Sequence, residues 1–280
     1  MRFFRVRVLA TLPHPGRGFT QGLLAENGTV WESVGEYGRS ALRKYPVGAS
    51  ALPGLRNDAR GPAGAAGKAE VKLADELFAE GICRTGTGIW QLTWKERVAL
   101  RWDAATLELR DLVNFNREGW GIAAVGDGPG LGNRVGQGSG AGEVVTSDGT
   151  SELVRRDPLT LAPTGIVHVR CRGQRVRWLN DLAWSGGLLW ANVAGTECLA
   201  GIDLATGEVT DVVDAHAAAE RRWHDPQAIM NGIAALERPG EFLLTGKSWR
   251  AIRHVRLVPD RDRGHLRRLL TDPWRRTPDG

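Results

Sequence analysis

Gln21-Gly22-Leu23-Leu24-Ala25-Glu26-Asn27-Gly28-Thr29-Val30-Trp31 opens with a polar residue, a glycine and an aliphatic at the head of an apolar run, and closes on a tryptophan ten positions from its start. The opening returns as Glu80-Gly81-Ile82, Trp120-Gly121-Ile122, Asn180-Asp181-Leu182 and Asn231-Gly232-Ile233, with Asp replacing Gly in the fourth copy. The ten-residue spacing to tryptophan recurs at Trp90 and Trp190, while the third and fifth copies reach Val145 and Leu243 after longer connections.

Each copy continues into a third strand-like segment: Ala41–Tyr45, Val98–Asp103, Glu152–Asp157, Leu199–Asp203 and Ile252–Val255. Three of these run into turns beginning at Asp103, Asp157 and Asp203, where Asp, Pro and Gly supply turn geometry. A fourth strand follows, as in Gly207–Val213. Strand–turn–strand units repeating every 40 to 60 residues along a 280-residue chain predict an all-β, five-bladed β-propeller over residues 1–257. The N-terminal strand, residues 2–9, is then free to complete the last blade and remove an exposed edge. A β-sandwich with coincidental repeats is the competing architecture. Residues 48–70, rich in Gly, Ala and Pro, read as a loop, and the glycine-rich 126–142 as an insertion, since no helix with Lys-Ser/Thr follows to make a phosphate loop. Residues 258–280 form an Arg-rich tail.

Composition narrows the function. Thirty-seven Gly and eleven Trp suit many turns around an aromatic interior or binding site. A net charge of +5 carried mostly by Arg reads as a solvated surface, and no basic region is interleaved with aromatics in the manner of a nucleic-acid module. Cys83, Cys171 and Cys198 are odd in number and far apart, and the six histidines are scattered, so neither a disulfide framework nor a metal motif is present. No apolar run reaches the eighteen residues of a membrane helix, and Met1–Leu9 alternates basic with apolar residues, unlike a signal peptide. A cytoplasmic rather than secreted monomer without membrane or nucleic-acid partners is expected.

The first strand of each propeller blade lines the central channel. The repeat therefore places Gln21, Glu80, Trp120, Asn180 and Asn231 at one phase around its mouth, and Gly35, Trp94, Gly149, Ala194 and Lys247 at a matching phase of the second strands. One carboxylate, one ammonium, amides and indole walls suit an organic ligand carrying an amine and an amide.

Nine segments in order carry a resemblance: Phe19-Thr20-Gln21-Gly22-Leu23, Glu32–Gly38, Phe78-Ala79-Glu80-Gly81-Ile82, Gln91-Leu92-Thr93-Trp94-Lys95, Glu118-Gly119-Trp120-Gly121, Ser147–Thr150, Trp178–Leu182, Asn231–Ala234 and Thr245-Gly246-Lys247-Ser248-Trp249. Together they resemble the plant and bacterial glutaminyl cyclases over residues 14–257. The resemblance implies a five-bladed propeller acting without cofactor or metal on peptides or proteins with N-terminal glutamine. It further implies Glu80 as the catalytic glutamate, Asn180 and Lys247 as functional positions, and Phe19, Gln21, Trp94 and Trp120 as substrate-binding residues. The chemistry of cyclisation then suits Glu80 to general base and acid, and Lys247 and Asn180 to stabilising the oxyanion. Two motifs depart: the family's L-N-E-L-E reads Leu179-Asn180-Asp181-Leu182-Ala183, and its A-N-V-W reads Ala191-Asn192-Val193-Ala194, removing one pocket wall. Ala194 keeps open the alternative of a catalytically impaired propeller that binds peptide N-termini or acts as a scaffold. A metal-dependent propeller hydrolase is a third reading, opposed by Glu80 being the one carboxylate at the channel phase.

Overall fold

The inner edges of the repeats lie so close together that a Cβ cannot fit between them. A computed structural model describes residues 1–16, 18–47, 68–86, 88–126, 142–220 and 227–261. In it Gly22 abuts the backbone of the second copy, where a Cβ would lie 2.7 Å from the Ile82 nitrogen. Gly81 meets the Trp120 carbonyl at 2.7 Å, and Gly121 the Asn180 carbonyl at 2.0 Å. The glycine of the repeat is thus a spacing requirement between neighbouring strands. In the fourth copy the carboxylate of Asp181 takes over, accepting the backbone N–H groups of Leu23 at 3.3 Å and Ile233 at 2.8 Å and so tying three copies together.

Around these contacts the chain forms all-β sheet units. One four-stranded sheet holds β2 (Phe19–Glu26), β3 (Thr29–Gly35), β4 (Ala41–Pro46) and β5 (Ala69–Lys72) in that order. A second holds β6 (Ala79–Thr85), β7 (Gly88–Thr93), β8 (Val98–Asp103) and β9 (Leu109–Asn114). The third holds β10 (Ile122–Val125), β11 (Glu143–Thr146), β12 (Glu152–Arg156) and β13 (Pro163–His168), and a short ribbon of β14 (Arg170–Cys171) and β15 (Gln174–Arg175) follows. The rest is one eight-stranded sheet. Four of its strands are β16 (Leu179–Ser185), β17 (Leu188–Val193), β18 (Cys198–Ile202) and β19 (Val209–Asp214), and three are β20 (Met230–Ala235), β21 (Glu241–Gly246) and β22 (Ala251–Pro259). Between them lies β1 (Arg2–Pro13), antiparallel to β22 and parallel to β19. β2, β6, β10, β16 and β20 touch in succession, and β20 returns to β2.

Two of the three tryptophans at the ten-residue spacing fasten one sheet to the next by hydrogen bonds, whereas the indole N–H of Trp190 stays within its own unit, on Ser185 O. Trp31 and Trp90 are buried, and their indole N–H groups donate to Ala104 O and Pro158 O, in the turns that end the third strands of the following sheets. Those turns are built by aspartate: Asp103 Oδ1 accepts from Ala105 and Thr106, and Asp157 Oδ1 from Leu159 and Thr160.

Two sequence expectations change at their edges. β1 reaches Pro13, four residues past the expected strand, because its pairing with β22 continues to Ala251. Residues 69 and 70, assigned to the loop 48–70, belong to β5, which pairs with β4. Most of that loop, most of 126–142 and most of the tail 258–280 lie outside the described residues. The three cysteines are buried free thiols.

Gly121→Ala is expected to lower the thermal unfolding midpoint by several degrees, since an added methyl in a close-packed site costs about 1–3 kcal/mol. Gly126→Ala, where nothing among the described residues lies within 4 Å of the added carbon, serves as the control and leaves the midpoint unchanged.

Candidate active site

The strands that converge through the repeat glycines carry their neighbouring side chains into a single cavity of about 1160 Å³. All seven residues singled out from the sequence line it: Phe19 and Gln21 from β2, Glu80 from β6, Trp94 just past β7, Trp120 just before β10, Asn180 from β16 and Lys247 just past β21. Asn231, expected at the channel mouth with them, does not line the cavity. It sits behind Gln21, with its Nδ2 donating to Gln21 Oε1 at 2.8 Å.

Glu80 is the buried acid of the cavity. Only 5% of it is exposed, and Gln21 Nε2 donates to its Oε1 at 2.9 Å. Burial holds its carboxyl well above the usual carboxylate range; Lys247 pulls it back down, while Asp181, Glu96 and Glu118 push it further up. Lys247 is the matching cation: burial lowers its pKa and Glu80 raises it. Its Nζ lies 4.6 Å from the centre of the Phe19 ring. Both ends of the Gln21 amide are engaged by protein, so Gln21 orients Glu80 before it orients anything else. Asn180 brings an amide whose Oδ1 is buried without a partner among the described residues.

The walls are aromatic. Phe78 meets Phe19, Tyr37 and Trp94 edge-on at ring separations of 6.2, 5.2 and 5.5 Å. Trp120 packs against Trp178 at 6.1 Å. Two glycines make room for these rings: a Cβ on Gly35 would lie 2.4 Å from Phe78, and one on Gly149 would lie 2.8 Å from Trp120. The two glycines at the second-strand phase are therefore the seats of the two rings.

Glu118 and Trp178 have places that sequence reading did not give them. Glu118 Oε2 accepts both indole N–H groups, Trp94 at 3.0 Å and Trp120 at 3.3 Å, and so fixes the two rings relative to each other. Its position two residues before Trp120 was visible, but its register lies off the repeat phase. Trp178 lines the cavity from a backbone φ of 67°, a strained region for a bulky side chain, held by its N–H to Gly149 O and by its carbonyl to Ala194 N. Glu32, at the start of the second of the nine segments, does not line the cavity: it is buried with His14, Thr20 and Tyr45.

A family model for glutamine cyclotransferase matches residues 1–257. The chain belongs to the glutamine cyclotransferase family. It is 30% identical over 263 residues to a glutaminyl-peptide cyclotransferase of Arabidopsis thaliana, covering 91% of this chain and 72% of the relative. A crystal structure of Myxococcus xanthus glutaminyl cyclase aligns with a TM-score of 0.73 at 29% identity, covering 92% of this chain and 99% of that one. Among the departures from the cyclotransferase motifs, Ala194 leaves a wall short, and Trp178, whose carbonyl binds the Ala194 nitrogen, stands beside the gap. Asp181, the shortened acid, is fully buried with its pKa raised to about 8 by burial, against the pull of three backbone N–H groups.

Glu118→Leu, near in size, removes the acceptor that Trp94 and Trp120 share. The loss of charge-assisted hydrogen bonds of about 1.5–3 kcal/mol is expected to raise the peptide KM at least about tenfold. Steady-state kinetics checks this, with a little-changed thermal midpoint ruling out global damage; an unchanged KM means that packing alone holds the indoles.

Proposed function

We propose that the chain is a single-domain, five-bladed β-propeller over residues 1–257 that converts the N-terminal glutamine of peptides to pyroglutamate with release of ammonia, and that the cavity described above is where it does so. The five successive inner strands returning on themselves support the architecture, with β1 as the outer strand of the blade formed by β20–β22. The observation that carries the function is that one buried carboxyl, Glu80, and one half-buried ammonium, Lys247, line the same aromatic cavity, each biasing the other's charge state. Its volume slightly exceeds the roughly 300–1,000 Å³ of most small-ligand pockets, which suits a terminal residue with the start of its chain.

In the reaction the α-amine nitrogen attacks the γ-carboxamide carbon. A new C–N bond closes the ring, the carbon passes through a tetrahedral oxyanion, and the old C–N bond breaks as ammonia departs. Nucleophile and electrophile are tethered, so holding the side chain folded back supplies much of the entropic cost. Phe19, Trp94 and Trp120 clasp the aliphatic part. Glu80 takes the proton from the amine and returns it to the leaving nitrogen, a task for which a pKa raised toward neutrality is suited. Lys247 and Asn180 face the oxygen on which negative charge develops, where fixed donors in a dry site are most effective. Trp178, which lines the same cavity as Ala194 and packs its indole against Trp120, supports the catalytic reading over the impaired-binder alternative.

The deciding experiment incubates a Gln-initiated peptide with the protein and follows loss of ammonia by mass spectrometry; a peptide left intact ends the proposal. Glu80→Gln is expected to lose about 10²–10⁴ in kcat without unfolding, and full activity would remove Glu80 from the chemistry. Glu80 must be ionised to act as base, so kcat/KM rises with pH through its pKa, above the usual glutamate range. Lys247 holds that pKa down, so Lys247→Met displaces this acidic limb to higher pH and also lowers kcat by about 10²–10³ through the lost oxyanion contact. The pH–rate profiles of the two proteins check both.

A further inference from the structure

Asn231 on β20 is 1% exposed and stands behind the cavity wall. Its Nδ2 lies 2.8 Å from Gln21 Oε1, 3.2 Å from Thr20 O and 3.4 Å from Gln21 O. Three oxygens around one amide nitrogen allow a single orientation; turned over, Oδ1 would face three acceptors with no hydrogen between them. Two of those oxygens are main-chain carbonyls of β2, so the strand sets this orientation, independently of what occupies the cavity.

The consequence passes to the next amide. With its Oε1 engaged by Asn231, Gln21 has its N–H end toward Glu80, at 2.9 Å. An N–H facing a carboxyl favours the carboxylate, whereas a carbonyl there would favour the acid. We infer that Asn231 is a positioning residue that acts through the Gln21 amide to keep Glu80 available as a base. This rests on the cyclotransferase reading. The other groups facing Glu80 are Lys247, which favours its ionisation, and Asp181, Glu96 and Glu118, which oppose it; Tyr37 lines the cavity with its hydroxyl donating to Glu96. None of these hydrogen-bonds to Asn231 among the described residues, so replacing Asn231 leaves them in place.

The test is the pH dependence of kcat/KM for the full chain and for Asn231→Leu, Gln21→Met and the double variant, on a Gln-initiated peptide. Asn231→Leu keeps the volume and removes the N–H. Its acidic limb is expected to move up by roughly one pH unit, the scale of one lost hydrogen bond to a charged group. That is about a tenfold loss below the limb with the plateau nearly kept. Gln21→Met moves the limb the same way, and the double variant moves it no further than Gln21→Met alone. A loss in Asn231→Leu that is equal at every pH overturns the inference, because a merely structural role lowers activity without moving the limb. Further displacement in the Gln21→Met background also overturns it, since Asn231 would then act independently of Gln21. Asn231→Ser is carried in parallel and decides the matter if the Leu variant lacks cooperative unfolding: an unmoved limb there is equally fatal. No turnover in the unsubstituted protein overturns the cyclotransferase reading and this inference with it, whereas turnover with an unmoved limb overturns the inference alone.

Discussion

Everything in this molecule depends on backbone meeting backbone where the inner strands converge. Sheets packed face to face are normally spaced by side chains, yet here Gly22, Gly81 and Gly121 bring strands from different sheets near enough for main-chain contact, as in the bond from Gly81 N to Trp120 O. The approach excludes any side chain at those positions, which is why the repeat is so short and so strict. Where Asp181 interrupts the series, a buried carboxyl spans the space by accepting N–H groups from two other copies. The fourth copy thus spends an ionisable group where the first three need only an absent methyl.

The same convergence gives the cavity its chemistry. Residues next to the close contacts, namely Gln21, Glu80, Trp120 and Asn180, are delivered to one small space from four different sheets. An acid and an ammonium placed there lose most of their water, and each then depends on the other and on fixed dipoles for its charge state. Neutral amides do the fixing: Asn231 reads the β2 carbonyls, Gln21 reads Asn231, and Glu80 meets Gln21.

Much of this was legible in the sequence because the repeat is a distance constraint written in residue type. Phe19, Gln21, Glu80, Trp94, Trp120, Asn180 and Lys247 share one cavity because each stands next to a recurring Gly or at a fixed offset from it. What a side chain reaches was not legible, even where the offset is: Glu118 and Trp178 stand two residues before their phase positions, as Phe19 and Phe78 do. Glu118 joins Trp94 to Trp120 through side-chain length alone, and Trp178 enters the cavity only because its backbone takes a left-handed turn pinned by Gly149. Asn231 follows the repeat phase, yet it lies behind the wall, since a period fixes where a residue starts and leaves open where its side chain ends.

β1 carries a consequence for biogenesis. Its partners are β19 and β22, so β1 waits for residues up to Asp214 for its parallel ladder and up to Pro259 for its antiparallel one. Until then the unit of β20–β22 and the unit of β16–β19 each keep a bare edge, the kind of surface on which partly made chains stick to one another. Docking of β1 covers both edges in one event and welds the two units into the eight-stranded sheet. The late, long-range closure makes assembly slow relative to folds built from local contacts.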